Sequence, residues 1–112
     1  MSKKVIQSPV EKFPGSITLY DPITYPQLIE WRDNNAKFME CFNDKGKKLF
    51  EGEQFAWKAI FAVAEEVTIK GFESKDVDKI PSTPLSLIDQ LLAYLISEVR
   101  DHITKEEEIP KF

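Results

Sequence analysis

The sequence predicts a mainly α fold, a three-helix domain with a short N-terminal β hairpin or strand segment, and three observations predict it. Leu85, Ile88, Leu91, Leu92, Leu95, Ile96, Val99 and Ile103 recur at helical spacing. Two further apolar arcs run through residues 25–43 and through a dense stretch that includes FAWKAIFAVA at 55–64. Ahead of them, KVIQSPV and SITLY carry β-branched residues on either side of the turn-forming FPG at 13–15. A chain of 112 residues fits one domain, which on folding buries somewhat under about 70% of its unfolded surface. Within it we expect a β segment and turn at 1–22, a helical part at 24–104, and a tail, KEEEIPKF at 105–112, that frays for want of apolar groups to offset its ordering entropy.

Taken in order, Gly15 is suited to φ > 0 in the turn between the two strand segments, and Asp21-Pro22 breaks the second, because proline donates nothing to a ladder. Thr24 with Gln27 three residues later is a capping box, and Pro26 is tolerated in a first helical turn. At roughly 100° per residue, Leu28, Trp31, Phe38 and Phe42 lie beside Tyr25, Ile29, Ala36 and Met39, an apolar arc of about half the cylinder, with Glu30, Asp33, Asn34 and Lys37 opposite. Arg32 and Asn35 fall inside that arc, either snorkelling and bonding a neighbouring backbone or facing a partner. The second helix is expected from about Gly52 to Lys70, ended by Gly71, with Ala56, Trp57, Ile60, Phe61, Val63, Ala64 and Val67 on its core side. Phe55 and Ile69 project towards its polar side. Residues 72–82 lack periodicity and read as an ordered connection. Thr83 is the expected N-cap of the third helix, with Pro84 in its first turn.

The composition, 42% hydrophobic and 30% charged, lies far from that of disordered chains, so the sequence should fold. The net charge is −4 with lysines and acids interleaved, which leaves no basic face for nucleic acid. A single cysteine, Cys41, forms no intramolecular disulfide, and no apolar stretch follows SKK at 2–4 as a signal peptide requires, so a reducing cytoplasm is the expected location. FAWKAIFAVA falls short of the roughly 20 residues that span a bilayer, so no membrane anchor is expected.

Reaction chemistry is absent from the pattern. His102 stands four residues after Glu98 and reads as an i,i+4 pair near a helix end; Cys41 has no histidine near it in sequence. There is no CxxC, no histidine pair and no Gly-rich phosphate loop, so we expect no enzyme, no catalytic residue, no metal and no cofactor. Cys41→Ser and His102→Gln are expected to be dispensable. What remains is binding. One candidate surface is an unpaired edge of the SITLY strand, making residues 1–22 an interaction arm through Ile17 and Leu19 and giving a homo-oligomer; the alternative is an intramolecular hairpin capping the helices. The other is surplus helix area around Trp31, Phe38, Phe55, Trp57 or Tyr94.

Three pieces in order carry a family resemblance: KFPGSITLYDPITYPQLIEW at 12–31, VTIKGF at 67–72 and IPSTPLSLIDQLLAYLISEV at 80–99. Together they resemble the small tail proteins of long-tailed bacteriophages known as tail assembly chaperones. The resemblance implies no catalytic residues. It implies a protein of the host cytoplasm that binds the tape measure protein or another tail protein, keeps the tape measure's long hydrophobic helices from aggregating and assists tail tube polymerisation. Family members are often made also as a longer frameshifted product, for which the tail after Ile103 is a natural attachment point. The competing readings are a structural subunit of the virion and a small protein–protein interaction adaptor.

Overall fold

The alternating residues of the N-terminal segments form a sheet, but with one more strand than the sequence pattern suggests. In the computed structural model, which describes residues 3–43 and 49–107, β1 (Val5–Gln7) and β2 (Ser16–Leu19) precede α1 (Tyr25–Asn43) and α2 (Leu49–Val63). β3 (Ala64–Val67) continues directly from α2, and α3 (Leu85–Glu107) closes the fold after a 3₁₀ turn at Val77–Lys79. The fold is therefore mainly α with a small antiparallel sheet of strand order β1-β2-β3.

The second helix thus ends at Val63, not near Lys70. Val67 pairs with Ile17 and Glu66 with Thr18, and a bulge between Thr18 and Leu19 brings Leu19 opposite Ala64. Ile69, expected on the polar side of a longer helix, is instead fully buried beyond the strand end. β2 is the central strand, paired with β1 through Val5–Thr18, Ile6–Ile17 and Gln7–Ser16 and with β3 on its other side. The SITLY strand therefore has no free edge, which removes the interaction-arm reading. The segment forms the intramolecular hairpin, and Ile17 and Leu19 face inward, fully buried.

One apolar cluster joins the sheet's inner face (Ile6, Ile17, Leu19, Ala64, Val67) to Trp57, Ile60 and Val63 of α2 and to Leu91, Leu95 and Val99 of α3. α1 adds Trp31 to it and leans on α2, so closely that a Cβ built on Gly52 would lie 2.5 Å from the Cβ of Cys41. The i,i+3/i+4 spacing of α3 buries Ile88, Leu91, Leu92, Leu95, Ile96, Val99 and Ile103, whereas Leu85, the first residue of the pattern and of the helix, stays exposed. That helix runs to Glu107, beyond the expected limit at 104; residues 108–112 of the expected frayed tail lie outside the described residues.

The two expected helix starts behave differently. Thr24 forms the capping box: its N–H donates to Gln27 Oε1 at 2.8 Å, the Gln27 N–H approaches Thr24 Oγ1 at 3.5 Å, and the Leu28 N–H donates to the Thr24 carbonyl at 2.9 Å. At α3 the first carbonyl to accept is that of Pro84, from the N–H groups of Leu87 and Ile88 at 3.1 and 3.2 Å, so the cap lies one residue later than Thr83. Thr83 is exposed and its hydroxyl makes no hydrogen bond among the described residues. Thr24→Ala should therefore cost about 1 kcal/mol. Thr83→Ala should stay within about 0.5 kcal/mol. Urea denaturation of both variants checks the pair, and equal losses would place the α3 cap at Thr83 after all.

Candidate functional site

α1 has more apolar surface than the core accepts. Taken around its cylinder at roughly 100° per residue, the side towards the core carries Leu28, Trp31, Asn34 and Phe38. Trp31 and Asn34 are buried and Leu28 and Phe38 pack against the cluster. Asn34 is satisfied by donating its Nδ2 to the Glu30 carbonyl at 2.9 Å. The remainder of the apolar arc, Tyr25, Ile29, Ala36 and Met39, faces outward together with Arg32, all five exposed. Tyr25 is 71% exposed, Ile29 44% and Met39 37%. The intervals 25, 29, 32, 36, 39 alternate four and three, the spacing of the seam by which one helix packs against another. Asn35, at the border of this seam, bonds a neighbouring helix and not backbone: its Oδ1 accepts from Arg100 Nη2 of α3 at 3.1 Å, and the same nitrogen lies 3.9 Å from Met39 Sδ.

The seven residues expected at a partner surface scatter over the fold. Ile17, Leu19, Trp31 and Trp57 are core residues, each at most 3% exposed, because the sheet and the α2 face close over them. Phe38 is half-buried against the core. Phe55 is half-buried with two ammonium groups over its ring, Lys37 Nζ at 5.5 Å and Lys58 Nζ at 5.4 Å from its centroid, cation–π contacts that account for its place on the polar side. Tyr94 is exposed on α3, its hydroxyl donating to Glu98 at 3.4 Å. None of the seven belongs to the exposed seam. The residues that form it were placed in the apolar arc by the sequence, but the arc alone does not say which half the core covers.

A second feature is an open pocket of about 570 Å³ between α1, α2 and the connection after β3, lined in part by Tyr20, Glu30, Asn34, Lys58, Phe61 and Lys75. Lys75 is held there by donating to the Ala64 carbonyl at 3.2 Å, and Phe61 stacks on Trp57 with ring centroids 5.8 Å apart. Cys41 sits at the α1–α2 contact and His102 is half-buried on α3. Among the described residues no group of three or more His, Cys, Asp or Glu side chains is placed to hold a metal ion, and no helix is long and apolar enough to cross a membrane.

One carboxyl pair lies between α2 and α3. Burial raises the Glu53 carboxyl above its ordinary range, and the neighbouring Asp89 carboxyl raises it further. Asp89 Oδ1 is itself buried without a hydrogen-bond partner among the described residues. A carboxyl that holds its proton more tightly folded than unfolded favours the fold below its unfolded value and disfavours it once the pH exceeds its raised folded value. Glu53→Gln should thus stabilise the domain at neutral pH and lose that advantage as the pH falls through the raised value. A pH series of denaturation midpoints checks this, and a variant equally offset at all pH values would show that the Glu53 carboxyl is not raised.

Comparisons of this chain with protein families, with curated proteins and with solved structures found no match.

Proposed function

We propose that this protein is a non-catalytic binder of amphipathic helices, acting as a tail assembly chaperone of a long-tailed bacteriophage in the host cytoplasm and covering the hydrophobic helices of the tape measure protein until the tube forms around them. The observation that supports helix binding is the outward seam of Tyr25, Ile29, Ala36 and Met39 on a helix whose other side is already anchored. A fixed row at alternating intervals of four and three, apolar at four positions with Arg32 at the central one, matches the seam spacing of another helix, and it offers several large side chains without an ordering cost to the helix that carries them. The phage assignment is supported by the resemblance of residues 12–31, 67–72 and 80–99 to tail assembly chaperones.

Reversibility follows from scale. A single helix seam is smaller than the interfaces of stable complexes, which suits an assembly factor that must leave as the tube polymerises. Ile29→Lys replaces the largest aliphatic side chain of the seam by a charge next to Arg32, at a position the core does not use, and should weaken binding of a tape measure helix at least about tenfold, or 1.4 kcal/mol. Tyr94→Ala, exposed elsewhere, should leave it unchanged. Titration calorimetry with tape measure segments makes the comparison, and equal affinity of the Ile29→Lys variant removes the seam from the mechanism. Mass spectrometry of purified phage particles separates the chaperone from the virion subunit: a chaperone is absent from them, and stoichiometric recovery would make this a structural protein of the tail.

A further inference from the structure

The seam on α1 is bordered by unlike charge. Asp33 and Glu40 each stand one position after a seam residue, Arg32 and Met39, so both border the same side, one heptad apart, and both are exposed. Across the seam the border residues are Leu28 and Asn35, one position before Ile29 and Ala36, and here Arg100 of α3 reaches in to bond Asn35. Positive charge therefore stands on one side of the apolar row and negative charge on the other. Lys37 is bonded to Asp33 at 3.2 Å, but both side chains are largely exposed, and an exposed i,i+4 pair is weak enough to yield to a better placed cation.

Resting on the reading that the seam binds a helix, we infer the chemistry of that helix: it is an amphipathic segment of another protein with a basic rail, Lys or Arg at seven-residue intervals, lying against Asp33 and Glu40. Three features favour this partner. In coiled-coil geometry the positions flanking the seam are the ones whose charges choose the partner. The chain as a whole is acidic, with a net charge of −4, so long-range attraction also favours a cationic segment. A second copy of α1 packed antiparallel would oppose Asp33 and Glu40 to their own counterparts, which repels.

Two synthetic helical peptides with identical apolar seams test this, one with lysine and the other with glutamate at the flanking positions. The lysine peptide should bind at least tenfold more tightly at low salt, lose most of that preference at high salt, and lose it too against the double variant Asp33→Lys/Glu40→Lys, which should prefer the glutamate peptide. Circular dichroism of the double variant confirms that its helices persist, as its two exposed sites allow. Equal binding of both peptides overturns the basic rail and leaves the helix-binding seam standing. Binding of neither, with Ile29→Lys also without effect on tape measure segments, overturns both. A wild-type dimer that Ile29→Lys dissolves, with no peptide bound, assigns the seam to a second copy and likewise overturns the proposal.

Discussion

Phe72→Ala should lower the stability of this domain by about 3–5 kcal/mol, the range for emptying a fully enclosed aromatic site. Phe72 is 1% exposed although it lies in no helix or strand. Its ring meets Phe13 edge-on at 5.5 Å and Trp57 at 5.0 Å between centroids, and Trp57 in turn stacks on Phe61. It therefore ties the turn before β2, the connection after β3 and α2 to one another. Aromatic pairs add about 0.5–1.5 kcal/mol beyond buried area, so a double-mutant cycle with Phe13→Leu should show coupling of that size. Against a total of about 5–15 kcal/mol for a domain of this kind, the truncation approaches the threshold of folding. Urea denaturation followed by circular dichroism reads the loss. A loss below about 1.5 kcal/mol would mean that the connection relaxes into the space and that the aromatic cluster is peripheral.

The elements legible in the sequence are those whose signals are local. Thr24 and Gln27 announce the start of α1 three residues apart, and α3 repeats its apolar positions for five turns. β3 was not legible, because AEEV continues the helical composition of α2 and its pairing partner, Ser16–Leu19, lies more than forty residues earlier in the chain. A strand of this kind is chosen by the sheet edge that receives it and not by its own propensity. Phe72 escaped for a related reason: a residue without periodic neighbours gives no face, and only the three-way meeting of Phe13, Trp57 and Phe72 shows it to be core. Thr83 shows the opposite error, a good capping residue one position before the carbonyl that opens the helix.

The candidate site was half legible. The apolar arc of α1 spans about half its cylinder, and a three-helix domain of this size has no second core to cover it all, so an exposed remainder was implied. Which residues remain is a matter of rotation about the helix axis, and that is set by what α2 offers. Gly52 lets Cys41 approach closely, which turns Trp31 and Phe38 inward and leaves Ile29 and Met39 outside. The largest aromatics, which the sequence favours as interface anchors, are the same ones the core requires, so Trp31 and Trp57 went inward and the seam fell to Tyr25 and smaller residues. Arg32, which the sequence left either snorkelling or facing a partner, lies exposed in the half that stays in water.

Gly15→Ala should cost about 3 kcal/mol or more, through the backbone alone. Gly15 holds φ at +130°, where side chains are strained, and a Cβ there would lie 2.4 Å from the carbonyl oxygen of Thr68 and 2.6 Å from Cα of Ile69. Those atoms are the neighbouring chain of the sheet and cannot turn aside as a side chain does. Around them the Lys70 N–H donates to the Pro14 carbonyl at 2.9 Å, the Thr68 N–H to the Ser16 carbonyl at 2.8 Å, and the Ser8 N–H to the Gly15 carbonyl at 2.9 Å. An added methyl must therefore part β2 from the segment that follows β3, and overpacking adds about 1–3 kcal/mol to the conformational strain. Gly71 supplies the comparison: its φ is +96°, but a Cβ there meets only the Pro81 ring, at 2.8 Å to Cγ, whose pucker can give by a few tenths of an ångström, and no backbone atom. Gly71→Ala should then cost less than Gly15→Ala, and denaturation midpoints that rank them the other way would refute the close approach at Gly15. The consequence reaches α1, because β3 continues into α2 without a connection and α2 is what α1 leans on. In amide hydrogen exchange the Gly15→Ala variant should lose protection first in the strands, then in α2, and only then in the helix that carries the seam.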